Sequence, residues 1–438
     1  MSIKVAKFGG SSLANASQFR KVEAIIKADP DRRYIIPSAP GKRTAEDHKI
    51  TDLLYLCQAH VEQGIPFDDV FTIISNRYLE IVKELGLTLD LQPYLNQIKT
   101  DIATGASPDY AASRGEFLNG LILADLLGFT FVDPADIIFF DKTGLLDMEK
   151  TQSKVSACLN QYPYAVIPGF YGTDSEGQIK TFSRGGSDIT GAIVARGVNA
   201  DIYENWTDVS GFLMADPRIV PNPKPIEKIT YRELRELAYM GATVLHEESI
   251  FPVRQAGIPI NIKNTNAPEH PGTLIVHDAD PVTQTGTITG IAGRKDFTVI
   301  TVEKSLMNAE LGFGRKLLSI LEANGISFEH MPTGIDTLSV VIADSQLKNK
   351  TEKILDEIKQ QCKPDAIEIS PNMALIATVG RGMAFTPGIA AKIFKALGDD
   401  GINVRMIDQG SSEINIIVGV ETADFEKAVR AIYNAFTG

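Results

Sequence analysis

Two short stretches of the chain combine a cation with paired glycines, a pattern suited to holding the oxygens of a phosphate or carboxylate. The first is Lys7-Phe8-Gly9-Gly10-Ser11-Ser12 and the second Ser183-Arg184-Gly185-Gly186-Ser187-Asp188. Paired glycines let the backbone come close to an oxyanion, and amides at the start of a helix donate to it. Lys7 supplies a point charge, Arg184 can grip a carboxylate or phosphate with two parallel hydrogen bonds, and Asp188 can orient a cation or hold Lys7 in place. Each stretch taken alone also reads as a plain strand-to-helix turn with a solvated cation. What separates the two readings is the company the stretches keep.

Both need a strand before them and a helix after. Ile3, Val5 and Phe8 read as a strand, and Phe19, Val22, Ile25 and Ile26 recur at helical spacing. Tyr34, Ile35 and Ile36 form a second strand running into the turn-rich Ser38-Ala39-Pro40-Gly41-Lys42-Arg43. Thr51 and Asp52 then open a capped helix carrying Leu53, Leu54, Leu56 and Cys57. Residues 60–110 read as mixed helix, a lid or plain packing. Ser113-Arg114-Gly115-Glu116 opens an apolar helical run, where Glu116 in the first turn would also suit the helix macrodipole. Strands are expected at Phe129 to Val132, Ile137 to Phe140 and Tyr164 to Ile167, the last ending in Pro168-Gly169-Phe170-Tyr171-Gly172. A hairpin through Asp174 and Gly177 delivers the second glycine pair and a helix from Ile189 to Gly197. The strand from Ala200 to Asn205 ends in Trp206-Thr207-Asp208-Val209-Ser210-Gly211, with Asp216-Pro217-Arg218 beyond it, and another strand runs through Ile260 and Ile262. Such alternation predicts a mainly parallel sheet covered on both faces, with sites at the carboxyl ends of its strands.

With 438 residues, 44% of them hydrophobic and 22% charged, the chain is long enough for two or three domains with their own cores. A formal net charge of -12 argues against non-specific binding to nucleic acid or anionic membrane, so an anionic substrate must be held by a local group of cations. Cys57, Cys158 and Cys362 lie too far apart for a CxxC metal pair or a disulfide framework and fit a reducing compartment. With no apolar leader and no apolar run of membrane length, the expected location is the cytoplasm. His246 has no second histidine at HExxH spacing, so no protein-held metal is expected, and neither GxxxxGK[ST] nor GxGxxG occurs.

In order, KFGGSS, SRGE, GFYGTD, SRGGSD, WTDVSGFLMADPR, GATVLHE and IKNTNAPEHPGT resemble the successive motifs of the aspartate kinases of the amino-acid-kinase superfamily, over roughly residues 3 to 276. The resemblance implies a three-layer αβα sandwich around a mostly parallel sheet, over residues 1–284. It implies transfer of the ATP γ-phosphoryl group to the β-carboxylate of L-aspartate, the first step towards lysine, threonine and methionine. The residues suit that chemistry, since phosphoryl transfer needs positioning and charge neutralisation and a carboxylate acceptor needs no general base. Carried over from the family, Lys7 would neutralise the transferring group with Asp188 orienting it, and Gly9, Gly10 and Ser11 would offer amides to the phosphates. Ser38, Thr51, Glu116, Phe170, Arg184 and Ser187 would line the aspartate site, Arg184 on the α-carboxylate and Glu116 on the α-amine. Thr207, Asp208, Asp216 and Arg218 would surround the nucleotide, with Mg2+ arriving on ATP. Two positions depart from the family pattern: Thr243 stands where many members have lysine, and Leu213 where many have an aromatic residue near the adenine.

Past residue 284 the chain repeats itself at an offset of 76: Leu317 to Leu321 with Ile393 to Leu397, Gly325-Ile326 with Gly401-Ile402, and Leu338 to Ile342 with Ile414 to Val418. Each copy, 295–370 and 371–438, resembles the ferredoxin-like βαββαβ pattern of ACT domains, which implies binding of a pathway end product, lysine or threonine, and pairing into a homodimer. Met307, Asn308, Gly312, Phe313 and Glu329 are the expected effector residues; Glu329 also reads as an ordinary edge-strand charge. The end of the chain at Gly438 leads us to expect a monofunctional enzyme. Another amino-acid kinase, acting on glutamate or acetylglutamate, and an amino-acid sensor with a degenerate kinase domain are the alternatives.

Overall fold

The five-residue strand Lys4–Phe8 (β1) lies inside an eight-stranded sheet, and the first of two units is built outward from it. In this computed structural model, residues 2–183, 185–242, 250–277, 286–384 and 386–438 are described. Arg184, Thr243 and His246 lie outside them. By internal contacts the chain divides into Met1–Phe212, Glu227–Tyr231 and Val244–Val282 as one unit, and Leu213–Ile226, Arg232–Thr243 and Thr283–Gly438 as the other.

In the first unit, β1 is followed by α1 (Ala16–Lys27), β2 (Arg32–Pro37), α2 (Ile50–Glu62), α3 (Asp68–Leu85), α4 (Gln92–Ala103) and α5 (Pro108–Leu127). After them come β3 (Thr130–Phe131), α6 (Met148–Leu159), β4 (Ala165–Val166), the hairpin β5 (Tyr171–Thr173) and β6 (Ile179–Thr181), α7 (Gly186–Gly197) and β7 (Ile202–Thr207). β10 (Lys228–Thr230), α9 (Phe251–Ala256), β11 (Ile260–Asn264) and β12 (Thr273–Val276) complete this unit, whereas the short ribbon from β8 (Phe212–Leu213) to β9 (Pro225–Ile226) and the helix α8 (Tyr231–Tyr239) fall mainly in the second. The sheet order is β10-β12-β11-β7-β1-β2-β4-β3. β1 pairs in parallel with β2 and β7, β7 with β11, and β2 with β4, whereas β12 is antiparallel to β11. The carboxyl ends of the parallel strands therefore meet along one edge. There the Ser38 amide donates to Phe8 O (3.0 Å), Gly9 to Trp206 O (3.0 Å), Thr265 to Thr207 O (2.9 Å) and Gly169 to Pro37 O (3.1 Å).

Val5, Ala6 and Phe8 are fully buried, as expected of a parallel strand covered on both faces. Asn15 caps α1, its side chain accepting from Gln18 N, and α1 turns Phe19, Val22, Ile25 and Ile26 inward. Helices α3 and α4 are packing and not a lid: Phe71, Ile74, Tyr78, Ile81, Leu95, Ile98 and Ile102 share one core with Phe8 and Phe19. Three local expectations need correction. Helix α5 begins at Pro108, capped by Ser107, so Glu116 stands in its third turn, out of reach of the macrodipole. α2 begins at Ile50 without a side-chain cap, so Thr51 is helical and does not cap it. The expected strand from Ile137 to Phe140 is reduced to single bridges from Phe139 to Thr173 and from Phe140 to Leu146, after a 3-10 turn at Pro134–Asp136. Asp133 starts that turn by accepting from Ala135 N.

The second unit holds a five-stranded antiparallel sheet. Its spine is two 14-residue strands, β13 (Gly290–Glu303) and β15 (Ala366–Val379), paired from Gly290↔Val379 to Glu303↔Ala366. Between them come α10 (Phe313–Ala323), β14 (Thr337–Ala343), α11 (Asp344–Leu347) and α12 (Thr351–Cys362); after them α13 (Ile389–Asp399), β16 (Met406–Asp408), β17 (Asn415–Glu421) and α14 (Phe425–Thr437). β14 pairs with Phe297–Glu303 and β17 with Met373–Val379. Each long strand thus serves two βαββαβ lobes: one half of β13 and the opposing half of β15 begin and end the first lobe, and the remaining halves do the same for the second. Interleaving of the copies, which the repeat alone left open, follows from this register. One core gathers Ile300, Leu317, Val340 and Ile358, the other Ile376, Ile393, Val418 and Ile432.

Candidate active site

Lys7 lies between Ile36 of β2 and Asn205 of β7, and its side chain is almost wholly buried. Its Nζ is 2.7 Å from Asp188 Oδ1 and 3.4 Å from Asn205 Oδ1, and Asn205 Nδ2 donates to the same Asp188 oxygen at 2.8 Å. A buried ammonium needs such partners. Because it carries three donors and two are engaged, the third can meet an incoming oxyanion.

Asp188 is in the first turn of α7, which the chain enters through Gly185 at φ 56°. This turn interlocks with the loop after β4. A Cβ on Gly169 would come within 2.5 Å of Ser187 Oγ, and one on Gly186 within 2.9 Å of Phe170 Cα. Phe170 itself sits at φ 84°, strain of about 1–3 kcal/mol for such a residue. Its amide donates to Thr190 Oγ1 (3.1 Å) and its carbonyl accepts from Phe182 N (3.0 Å), which hold it there. Phe170 also borders a cavity of about 540 Å³ with Tyr55, Lys180, Phe182 and Ile189.

Gly10 opens a 3-10 turn to Leu13, so the amides of Gly10 and Ser11 have no acceptor within that turn. A Cβ on Gly9 would sit 3.7 Å from Lys7 Nζ. On Gly10 it would lie 2.9 Å from Ala39 O, and on Gly41 2.7 Å from Gly10 C; Gly41 N donates to Gly10 O at 2.8 Å. The loops after β1 and β2 therefore touch backbone to backbone. Ile50 N donates to Pro40 O (3.4 Å), so Thr51 follows directly on the Ser38 segment.

Helix α5 closes this side. Glu116 is 6% exposed; the Ala39 amide bonds to its carboxylate, yet Oε2 finds no partner among the described residues. Burial pushes its pKa up to about 8. One turn further on, Asn119 Nδ2 donates to Ser38 O at 2.7 Å, and its Oδ1 also lacks a donor among the described residues. Unmet buried acceptors are costly and call for a ligand or water that brings donors.

On the far side of Lys7, Thr207 ends β7 and donates to Asp208 Oδ1 (3.2 Å), while Asn264 of β11 donates to Ser210 Oγ (3.0 Å). Asp216 and Arg218 belong to the second unit. There the exposed Arg218 holds Asp216 through Nε and Nη2 and keeps its carboxyl below the usual range, beside a 360 Å³ cleft with Ile219, Gly293 and Phe425. Of the expected effector residues, Met307 and Phe313 are core side chains, Asn308 is exposed and Gly312 starts α10 at φ 80°. Glu329 already has partners: Arg294 at 3.9 Å and the Tyr239 hydroxyl, whose pKa is pushed up to about 12 by burial and this bond.

Asn205, Asn119 and Gly41 are site residues that sequence reasoning passed over. Two adjacent polar residues, Glu204 and Asn205, inside the buried strand Ile202–Thr207 are an oddity for a parallel strand covered on both faces and were the available signal.

The amino acid kinase family pattern matches residues 2–264, and an ACT domain pattern matches 376–436. The chain is 37% identical to aspartokinase 3 of Bacillus subtilis (strain 168), over 99% of this chain and 98% of that one. It is 64% identical to the aspartate kinase of Clostridium acetobutylicum, whose crystal structure superposes with a TM-score of 0.94 over the whole of both chains. Aspartokinase III of E. coli is 25% identical; its complex with aspartate and ADP (R-state) gives a TM-score of 0.73 over 99% of each chain, and its complex with lysine and aspartate (T-state) 0.75 over 100% of each.

Proposed function

The chain belongs to the aspartokinases of the amino acid kinase family, and on that premise we propose that it phosphorylates the β-carboxylate of L-aspartate with ATP, giving 4-phospho-L-aspartate. A carboxylate oxygen attacks the γ-phosphorus, the bond from that phosphorus to the β,γ-bridging oxygen breaks, and ADP leaves; no proton has to move. What remains for the protein is placement and charge.

Lys7, held by Asp188, meets the charge of the transferring group, and Gly10 and Ser11 offer amides to the phosphates; the Gly9 amide, expected to join them, is instead taken by Trp206 O. Glu116 takes the α-ammonium, with Ser38, Thr51, Phe170 and Ser187 around the substrate and Arg184 on its α-carboxylate. Thr207 and Asp208 serve the nucleotide; Asp216 and Arg218, which the family pattern also assigns to it, lie in the second unit. The observation that carries this reading is the buried Lys7–Asp188 pair at the same strand ends as a buried carboxylate, Glu116, that has an unused oxygen. Mg2+ would accompany ATP. Such an ion is carried mainly by phosphate oxygens and water.

We assign catalysis to residues 1–284 and sensing to the ACT copies at 295–370 and 371–438. The E. coli relative was solved with lysine; lysine or threonine, bound near Asn308, Gly312 and Glu329 of the first copy, is the proposed feedback effector, and the ACT copies the proposed homodimer contact. Among the described residues no helix is long and apolar enough to cross a membrane; a cytoplasmic location is part of the proposal.

The test is ATP turnover with the acyl phosphate trapped by hydroxylamine. Aspartate should give hydroxamate, glutamate should not, and lysine or threonine should reduce the yield. ATP binding without aspartate-dependent hydroxamate would leave the amino-acid sensor as the better reading.

A further inference from the structure

Asn205 stands between the two charged partners of the candidate site. It is 2% exposed on β7, directly across from Lys7 on β1. Its amide faces both ways: Nδ2 donates to Asp188 Oδ1 at 2.8 Å, and Oδ1 accepts from Lys7 Nζ at 3.4 Å. Lys7 Nζ meets the same Asp188 oxygen at 2.7 Å, so the three groups form a closed ring.

We propose that Asn205 is a positioning residue for phosphoryl transfer, which keeps the Lys7 ammonium from being wholly consumed by Asp188 and turned towards the transferring group. The inference rests on the assignment of Lys7 to that group. A carboxylate with no second donor is free to swing until both of its oxygens face a buried ammonium. The Asn205 amide occupies part of the shared oxygen and supplies a second, weaker acceptor to Lys7. That fixes two of the three Nζ donors in known directions, and the remaining one is left for an oxygen that becomes more negative during transfer. The amide is suited to this task because it donates and accepts while adding no charge. A leucine of similar size would do neither, and an aspartate would accept without donating and would neutralise the lysine further.

Such a role falls on the chemical step more than on ground-state binding. Asn205→Leu and Asn205→Asp are to be assayed by hydroxamate trapping beside the wild type and Lys7→Ala, with melting temperature as a check on folding. Both Asn205 variants should lose about 10- to 100-fold in kcat while KM for ATP and aspartate stays within about threefold. Asn205→Ser, smaller and still able to donate and accept, should recover part of the loss. A wild-type kcat in a folded Asn205→Leu or Asn205→Asp variant overturns the proposal, as does a loss confined to KM. If Asn205→Leu does not fold, Asn205→Asp and Asn205→Ser decide on the same criteria. A wild-type chain that makes no aspartyl hydroxamate fails the functional assignment itself, and is told apart by showing no difference from Lys7→Ala.

Discussion

Lys7 and Asp188, far apart in the chain, meet at 2.7 Å because β1 and the first turn of α7 end at the same edge of a parallel sheet. Lys7 is buried and Asp188 nearly so, their side chains 10% and 15% exposed, so removing either partner leaves the other's charge poorly compensated and its direction unfixed. Lys7→Met should therefore lower kcat by roughly 100- to 1000-fold with the fold retained. Asp188→Asn keeps the shape and the ammonium but loosens its aim, and should cost less in kcat than Lys7→Met. Hydroxamate assays on both variants check the order; equal losses would mean that Asp188 does more than hold the lysine.

Glu116 should make aspartate binding depend on pH. Burial raises its pKa to about 8, so at neutral pH the empty site holds it mostly as the neutral acid. As pH rises towards 8 the ionised fraction grows and KM for aspartate should fall, until the substrate's own amine begins to lose its proton. Glu116→Gln should raise KM for aspartate at least tenfold and flatten this dependence. A KM in the wild type that does not change with pH would remove Glu116 from the ammonium site.

The same carboxyl links pH to stability. Its folded pKa of about 8 lies above the ordinary value of 4.5, so its contribution is fully present below 4.5 and is lost as pH rises through 8. Without substrate, wild type and Glu116→Gln should melt at similar temperatures in acid. The glutamine variant should gain a growing advantage between those two values, and aspartate should narrow the gap by supplying the missing cation. Melting curves across that range, with and without aspartate, measure it.

Much of this could be read in the chain before any coordinates. Alternating apolar runs and glycine turns place β1, β2, β7, β11 and their helices, because such strands are buried on both faces and the turns between them are short. Glu116 reads as a first-turn residue only if the helix starts at Ser113, whereas the capping Ser107 and Pro108 at the first helical position mark the true start of α5. Asn119 carries no signal in the sequence and Asn205 only that of a polar residue in a buried strand; their roles lie in partners from distant segments, Ser38 and Asp188. The shared strands of the ACT lobes were equally hidden, since a repeat offset gives the number of copies but not which halves of β13 and β15 pair.

Gly10 and Gly41 offer a steric prediction. A Cβ on Gly41 would lie 2.7–2.9 Å from backbone atoms of Gly10 and Ser11, none of them the end of a flexible side chain. Gly41→Ala should lower stability by about 1–3 kcal/mol and reduce turnover by displacing the phosphate-facing turn. Gly398→Ala, in α13 with nothing within 4 Å of the added carbon, should be neutral or slightly stabilising and serves as control. Denaturant titration of the two variants compares them directly; equal stability would mean the two loops part without cost.

The interleaved lobes should unfold together. Phe297 is fully buried at the point where the β13–β15 register shifts, opposite Met373, and the halves of β13 on either side of it belong to different lobes. Phe297→Ala should cost about 3–5 kcal/mol, and the loss cannot stay in one lobe, because each takes a strand from the part of the spine it shares with the other. Hydrogen exchange offers the readout. Amides of α10 in the first lobe and α13 in the second should lose protection by the same free energy in this variant. Loss confined to α10 would show that each half-strand is held by its own lobe, and would make the two ACT copies separate folding units despite their common strands.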